Sequence, residues 1–138
     1  MTSTLLGRIE TRLFTVFTVG LLWTLLVTPF LAASYRVTLT TLGWLALLGV
    51  VVWEPVWHLL QQFRWEKDWP AMYLILQAVP EAVLVRVVLD RTLDVSDPVG
   101  VGTFAVHFAT TWLAIFLFLQ GPMRVPFLRW RFRGGRIL

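Results

Sequence analysis

Residues 99–120 read VGVGTFAVHFATTWLAIFLFLQ, a stretch without one Asp, Glu, Lys or Arg. As a helix rising about 1.5 Å per residue it would be roughly 33 Å long, which matches a hydrocarbon core about 30 Å thick. Working outward from it, three more stretches have the length and apolarity to cross, at residues 13–33, 37–60 and 70–89. Residues 1–122 therefore predict an all-α membrane domain, a bundle of four transmembrane helices. Residues 123–138 follow as a basic juxtamembrane tail.

Composition points the same way. The 138 residues are 57% apolar and only 14% charged, too little polar surface to cover a water-soluble globule of this size. The mean hydropathy is +0.72. With no cysteine, the chain has no disulfide, thiolate metal site or cysteine nucleophile. The apolar run at 13–33 is longer than the core of a signal peptide, about 7–15 residues, so a retained helix is expected there. Pro70 and Pro98 suit first helical positions, and Asp97 suits a cap. Trp53, Trp57, Trp65, Trp69 and Trp130 fall where spans should end, as rings that prefer the headgroup level do.

Orientation follows from basic residues near the span ends. Arg8, Arg12, Arg64, Lys67, Arg124, Arg129, Arg131, Arg133 and Arg136 lie on one side, nine in all, against Arg36 and Arg91 on the other. Both termini are expected in the cytoplasm. Asparagine is absent and eleven arginines accompany one lysine, a usage that suits a GC-rich bacterial genome. The expected location is therefore a bacterial inner (plasma) membrane.

Inside the spans an ionisable group costs about 2.5–3.5 kcal/mol at mid-depth, so each needs a partner or a task. On this count the first span carries none. Glu81 is eleven residues from Pro70 and His107 eight from Val99, placing them at roughly 16 and 12 Å from opposite faces and so near one level. They are expected to meet across helices three and four, either as an interhelical polar pair or as a proton relay. Glu54 and His58, four apart on helix two, form a candidate second polar cluster continued by Gln61 and Gln62. Arg86 and Asp90, also four apart, are expected to form an interfacial ion pair while the arginine snorkels outward. Pro29, Pro55 and Pro80 interrupt spans and free carbonyls, two of them beside a glutamate. That pairing suits a cation site as well as an ordinary membrane kink.

Other signals fail. Gly100, Gly102 and Ala105 fit a dinucleotide pattern but follow no strand. Gly102, Ala105 and Ala109, like Thr11, Thr15 and Thr18, suit close helix approach instead. His58 and His107 sit at depths too different to share a haem iron within one chain, and no serine has a histidine nearby in the chain. No cofactor or metal is expected, and an enzymatic role is disfavoured. The tail arginines Arg124, Arg129, Arg131, Arg133 and Arg136 suit anionic headgroups or an acidic partner protein, without nucleic acid. The sequence favours a small noncatalytic accessory or structural subunit of a larger membrane complex, binding lipid and other subunits or copies of itself. The alternative is an oligomeric proton- or cation-coupled transporter or channel built on the intramembrane Glu and His residues.

Overall fold

The computed structural model describes residues 5–63, 71–93 and 99–123. Four long helical rods account for nearly all of them, and no β-strand occurs among the described residues. The first, α1 (Leu5–Phe30), and the second, α2 (Tyr35–Gln62), are long and apolar enough to cross a membrane. So is the last, α4 (Val101–Gln120). Between them lies α3 (Ala71–Thr92). The protein is a helical integral membrane protein.

Local chemistry sets the rod ends. Pro29 lies in a short 3-10 turn, Thr28–Phe30, that closes α1. Ser34 then starts α2, its hydroxyl accepting from the Val37 N–H at 3.4 Å. Gly100 precedes α4, its carbonyl accepting from the Phe104 N–H at 3.0 Å.

Two rods contain a wide π-helical turn, Val16–Gly20 in α1 and Gly49–Trp53 in α2. The second has a visible cause. Pro55 has no N–H to offer the Val51 carbonyl, and the backbone re-pairs with a longer loop in which the Glu54 N–H donates to Gly49 O. The buried positions record both turns. Along α1 they include Thr11, Thr15, Gly20, Thr24 and Thr28. The five-residue step from Thr15 to Gly20 would point about 140° away on an unbroken α-helix turning 100° per residue. The π turn absorbs the extra residue. Along α2 the same five-residue step runs from Gly49 to Glu54, both buried.

The rods pack antiparallel around a ring, up-down-up-down. Arg8 reaches Gln61 and Thr28 reaches Thr38, which fixes α1 against α2. Trp57 meets Glu81 and Trp44 meets Thr92 between α2 and α3. Trp112 donates to Leu74 O and Arg86 lies over Phe104 between α3 and α4. Phe14 faces Phe118 and Thr24 meets His107, closing α4 onto α1. The apolar core holds Val16, Leu42, Leu45, Val85, Phe108 and Ile115 among others. At Gly20 a Cβ would lie 3.1 Å from Leu42 and 3.4 Å from Ile115, so its absence lets three rods approach.

The seam between α1 and the rest is polar instead. Thr11, Thr15, Thr24, Thr28, Thr38, Thr41 and Thr111 are buried. Most return their hydroxyl to a carbonyl of the preceding turn, for example Thr11 to Gly7 O at 2.6 Å and Thr41 to Val37 O at 2.8 Å. Such bonds satisfy a hydroxyl where no water is at hand. Leu22, Leu26, Leu47, Val79, Val83 and Leu117 face outward and are exposed. Ala105 and Ala109 are exposed too, and a Cβ at Gly102 would meet nothing within 4 Å.

Candidate functional site

The sequence placed Arg8 and Arg12 outside the first span. The structure puts both inside α1, which begins at Leu5, and turns them into the bundle. Arg12 is the centre of the arrangement. Its Nε donates to Glu54 Oε1 at 2.6 Å. Its two terminal nitrogens grip Glu81 as a fork, Nη1 to Oε2 at 2.7 Å and Nη2 to Oε1 at 2.9 Å. Arg8 adds Nε to Glu54 Oε2 at 2.8 Å and Nη1 to Gln61 Oε1 at 2.7 Å. Trp57 donates its indole N–H to Glu81 at 3.2 Å, and the Arg12 guanidinium lies 5.8 Å from the Trp112 ring.

Every carboxylate oxygen of Glu54 and Glu81 thus accepts at least one hydrogen bond from a guanidinium. Glu81 is 0% exposed, Arg8 2% and Glu54 4%, so these bonds replace water outright. Two cations and two anions leave no net charge. Paired, hydrogen-bonded charges are the form in which such groups tolerate a low-dielectric interior. By residue count from the rod ends the cluster lies roughly 10–15 Å in from the end where α1 starts.

Gly49 makes the cluster possible. A Cβ there would stand 2.5 Å from Arg12 Cδ and Nη1 and 2.8 Å from Cζ, so the guanidinium passes through the space that any other side chain would fill. Beside it lies a cavity of about 50 Å3 whose lining includes Arg8, Arg12, Glu54, Gln77, Thr15 and Trp112.

The expected Glu81–His107 contact gives way to two separate ones. Glu81 is taken by Arg12 and Trp57, whereas His107 Nε2 lies 3.0 Å from Thr24 Oγ1. Arg12 and Thr24 are twelve residues apart on the same rod, about 18 Å along its axis. The depth estimate failed because it treated α1 as free of charge, leaving Glu81 no cation to choose. Glu54 and His58 also part company. Glu54 turns inward to the arginines, and His58 pairs with Gln62 on its own helix at 3.1 Å. Arg86 Nη2 lies 3.0 Å from Asp90 Oδ1, with the guanidinium over Phe104 at 5.5 Å.

Arg124, Arg129, Arg131, Arg133 and Arg136 lie outside the described residues, as do Arg64, Lys67, Pro70, Asp97 and Pro98. Among the described residues no three His, Asp or Glu side chains gather as a metal site. Arg8, Arg12 and Gly49 are the residues the sequence did not reveal as parts of a site. The available signal was that two buried acids needed two cations, and Arg8 and Arg12 stand four apart on one helix face.

Chemically the arrangement is a clamp. Guanidinium groups do not give up a proton in proteins, and both carboxylates are engaged by them on each oxygen. The cluster ties α1, α2 and α3 together, and both of its carboxylates are taken up in doing so. The chain matches no known family model, no curated protein and no solved structure. Fold and site together define a class, a small helical integral membrane protein with a buried cluster of paired arginines and glutamates.

Proposed function

We propose that the chain is a noncatalytic structural subunit of a larger bacterial inner-membrane assembly. In this reading all four rods cross the membrane, α3 included, and both termini are cytoplasmic. With Arg8 and Arg12 neutralised inside the bundle, seven basic residues still flank the ends on one side against Arg36 and Arg91 on the other.

The observation that carries the proposal is the closed Arg8–Glu54–Arg12–Glu81 cluster. The two glutamates that a coupled transporter would cycle are each held by arginines and His107 meets the Thr24 hydroxyl, so the interior charge holds helices together. The outward surface is apolar. Between α3 and α4 it forms a groove of about 440 Å3 lined by Ala78, Ala82, Phe104, Ala105, Phe108 and Trp112 among others, a surface suited to lipid chains or a neighbouring subunit. The tail arginines would meet anionic headgroups or an acidic partner, each basic residue near the surface contributing about 1 kcal/mol.

Extraction in mild detergent followed by mass determination tests this. The chain should travel in a particle well above its own 15.9 kDa together with other membrane proteins, and be silent in proton- and cation-flux assays when reconstituted alone. Recovery free of other proteins, with flux from the purified chain in liposomes, would instead make it a transporter.

A further inference from the structure

The charges of the cluster are divided unevenly between its helices. Arg86 carries its own counter-ion four residues on, Asp90 at 3.0 Å. Glu81 has none on its helix, since the residues four away are Gln77 and Val85. Its charge is met by Arg12, 69 positions earlier, through both terminal nitrogens. The α1–α2 hairpin has the opposite imbalance. Among its described buried residues Arg8 and Arg12 both pair with Glu54, two positive charges against one carboxylate, so these contacts leave one positive charge over. The geometry of the surplus is fixed as well. Glu54 holds the Nε edge of Arg12 and Gly49 gives the guanidinium its passage, so the Nη1–Nη2 fork is the edge that remains for a carboxylate.

We propose that α3 enters the membrane only alongside the α1–α2 hairpin, with Arg12 as the counter-ion that admits Glu81. The inference rests on α3 crossing the membrane, as argued above. The hairpin precedes α3 in the chain and is available first during synthesis. It presents a preformed fork, and α3 supplies the one carboxylate that brings the buried charge to zero. Without the fork, Glu81 must cross as an uncompensated acid in a helix that also contains Gln77 and Pro80.

The chain contains no cysteine, so single cysteines report position cleanly. Ser34→Cys marks the α1–α2 turn and Leu93→Cys the far end of α3, each probed in intact full-length chains with a membrane-impermeant maleimide added from outside the cell. Both should label in the otherwise unaltered protein. Adding Arg12→Gln should leave labelling at 34 intact and lower the labelled-to-unlabelled ratio at 93 by about tenfold or more. Adding Glu81→Gln to that variant should restore the ratio to within about twofold of the starting value, because no lone charge then remains. Full labelling at 93 in the Arg12→Gln chain, or no recovery in the double variant, overturns the proposal. So does loss of labelling at 34, which would mean that the hairpin itself fails. Absence of labelling at 93 in the unaltered background is a different failure: α3 would then not cross as argued, and the proposal would fall with that reading.

Discussion

Gly49→Ala adds one methyl group at the point where the Arg12 guanidinium crosses α2. The new Cβ would stand 2.5 Å from Arg12 Cδ and Nη1, whereas ordinary contact begins at 3.4 Å, so the side chain must retreat by about 0.9 Å. Its donors now sit at 2.6, 2.7 and 2.9 Å from the two glutamates, and a retreat of that size carries at least one of them past hydrogen-bonding range. Losing one charge-assisted bond costs about 1.5–3 kcal/mol, and overpacking a further 1–3 kcal/mol or so. Alanine regains about 1 kcal/mol of helix preference, which leaves a net loss of roughly 1.5–5 kcal/mol. Unfolding in mixed detergent micelles, followed by tryptophan fluorescence, measures it. Gly43→Ala, on the same rod with nothing within 4 Å of the added Cβ, is the control and should be neutral or stabilising by up to about 1 kcal/mol. In a background carrying Arg12→Ala and Glu81→Gln together, no atom beyond Cβ remains at position 12 to meet the new methyl group, and Gly49→Ala should cost less than about 1 kcal/mol. Equal stability of the Gly49→Ala and Gly43→Ala proteins in the native background would show that Arg12 does not need the space at Gly49.

Arg12→Met alone should destabilise by about 3–5 kcal/mol, as removal of one member of a buried ion pair does, and Arg12→Met with Glu81→Gln by less than the single change; the same unfolding assay reads both, and a double variant worse than the single would count against the pairing. Thr24→Val removes the hydrogen-bond partner of His107 and should cost about 1 kcal/mol; in a Thr24→Val and His107→Leu cycle the two should couple by about 0.6 kcal/mol, and additivity would show that the 3.0 Å contact contributes nothing. Changing Arg129, Arg131 and Arg133 to Gln should leave the protein in the membrane fraction but weaken its retention on anionic vesicles or its co-purification with partners; unchanged behaviour in both assays would remove the tail from the account.

The membrane-helical class is legible in residues 99–120, because an apolar stretch of that length has few alternatives. The start of α1 is harder. A charge near one end of an apolar run reads as its boundary, which places Arg8 and Arg12 in the flank. An arginine moves inside when another helix supplies its anion, and a one-dimensional reading cannot see that helix. Depth counting has the same weakness. It ranked Glu81 and His107 by level, but level leaves the azimuth open, and the partners that won were Arg12 and Thr24 on α1. The wide turns left a trace that was legible. Thr11, Thr15, Gly20, Thr24 and Thr28 are spaced four, five, four and four, and the step of five marks the place where a uniform α-helix would have turned its polar stripe outward.

Arg12 holds Glu81 within the ionic cluster, so the buried charges join helices. Solid-state NMR on the full chain in lipid bilayers, with labelled arginine and glutamate and with Arg12→Lys and Glu81→Gln for assignment, measures that contact directly. Guanidinium-to-carboxylate cross-peaks for an ion pair of about 4 Å or less are expected in the native chain and should vanish in both variants. Arg12 without a carboxylate neighbour, or Glu81 found beside His107 instead, would contradict that pairing.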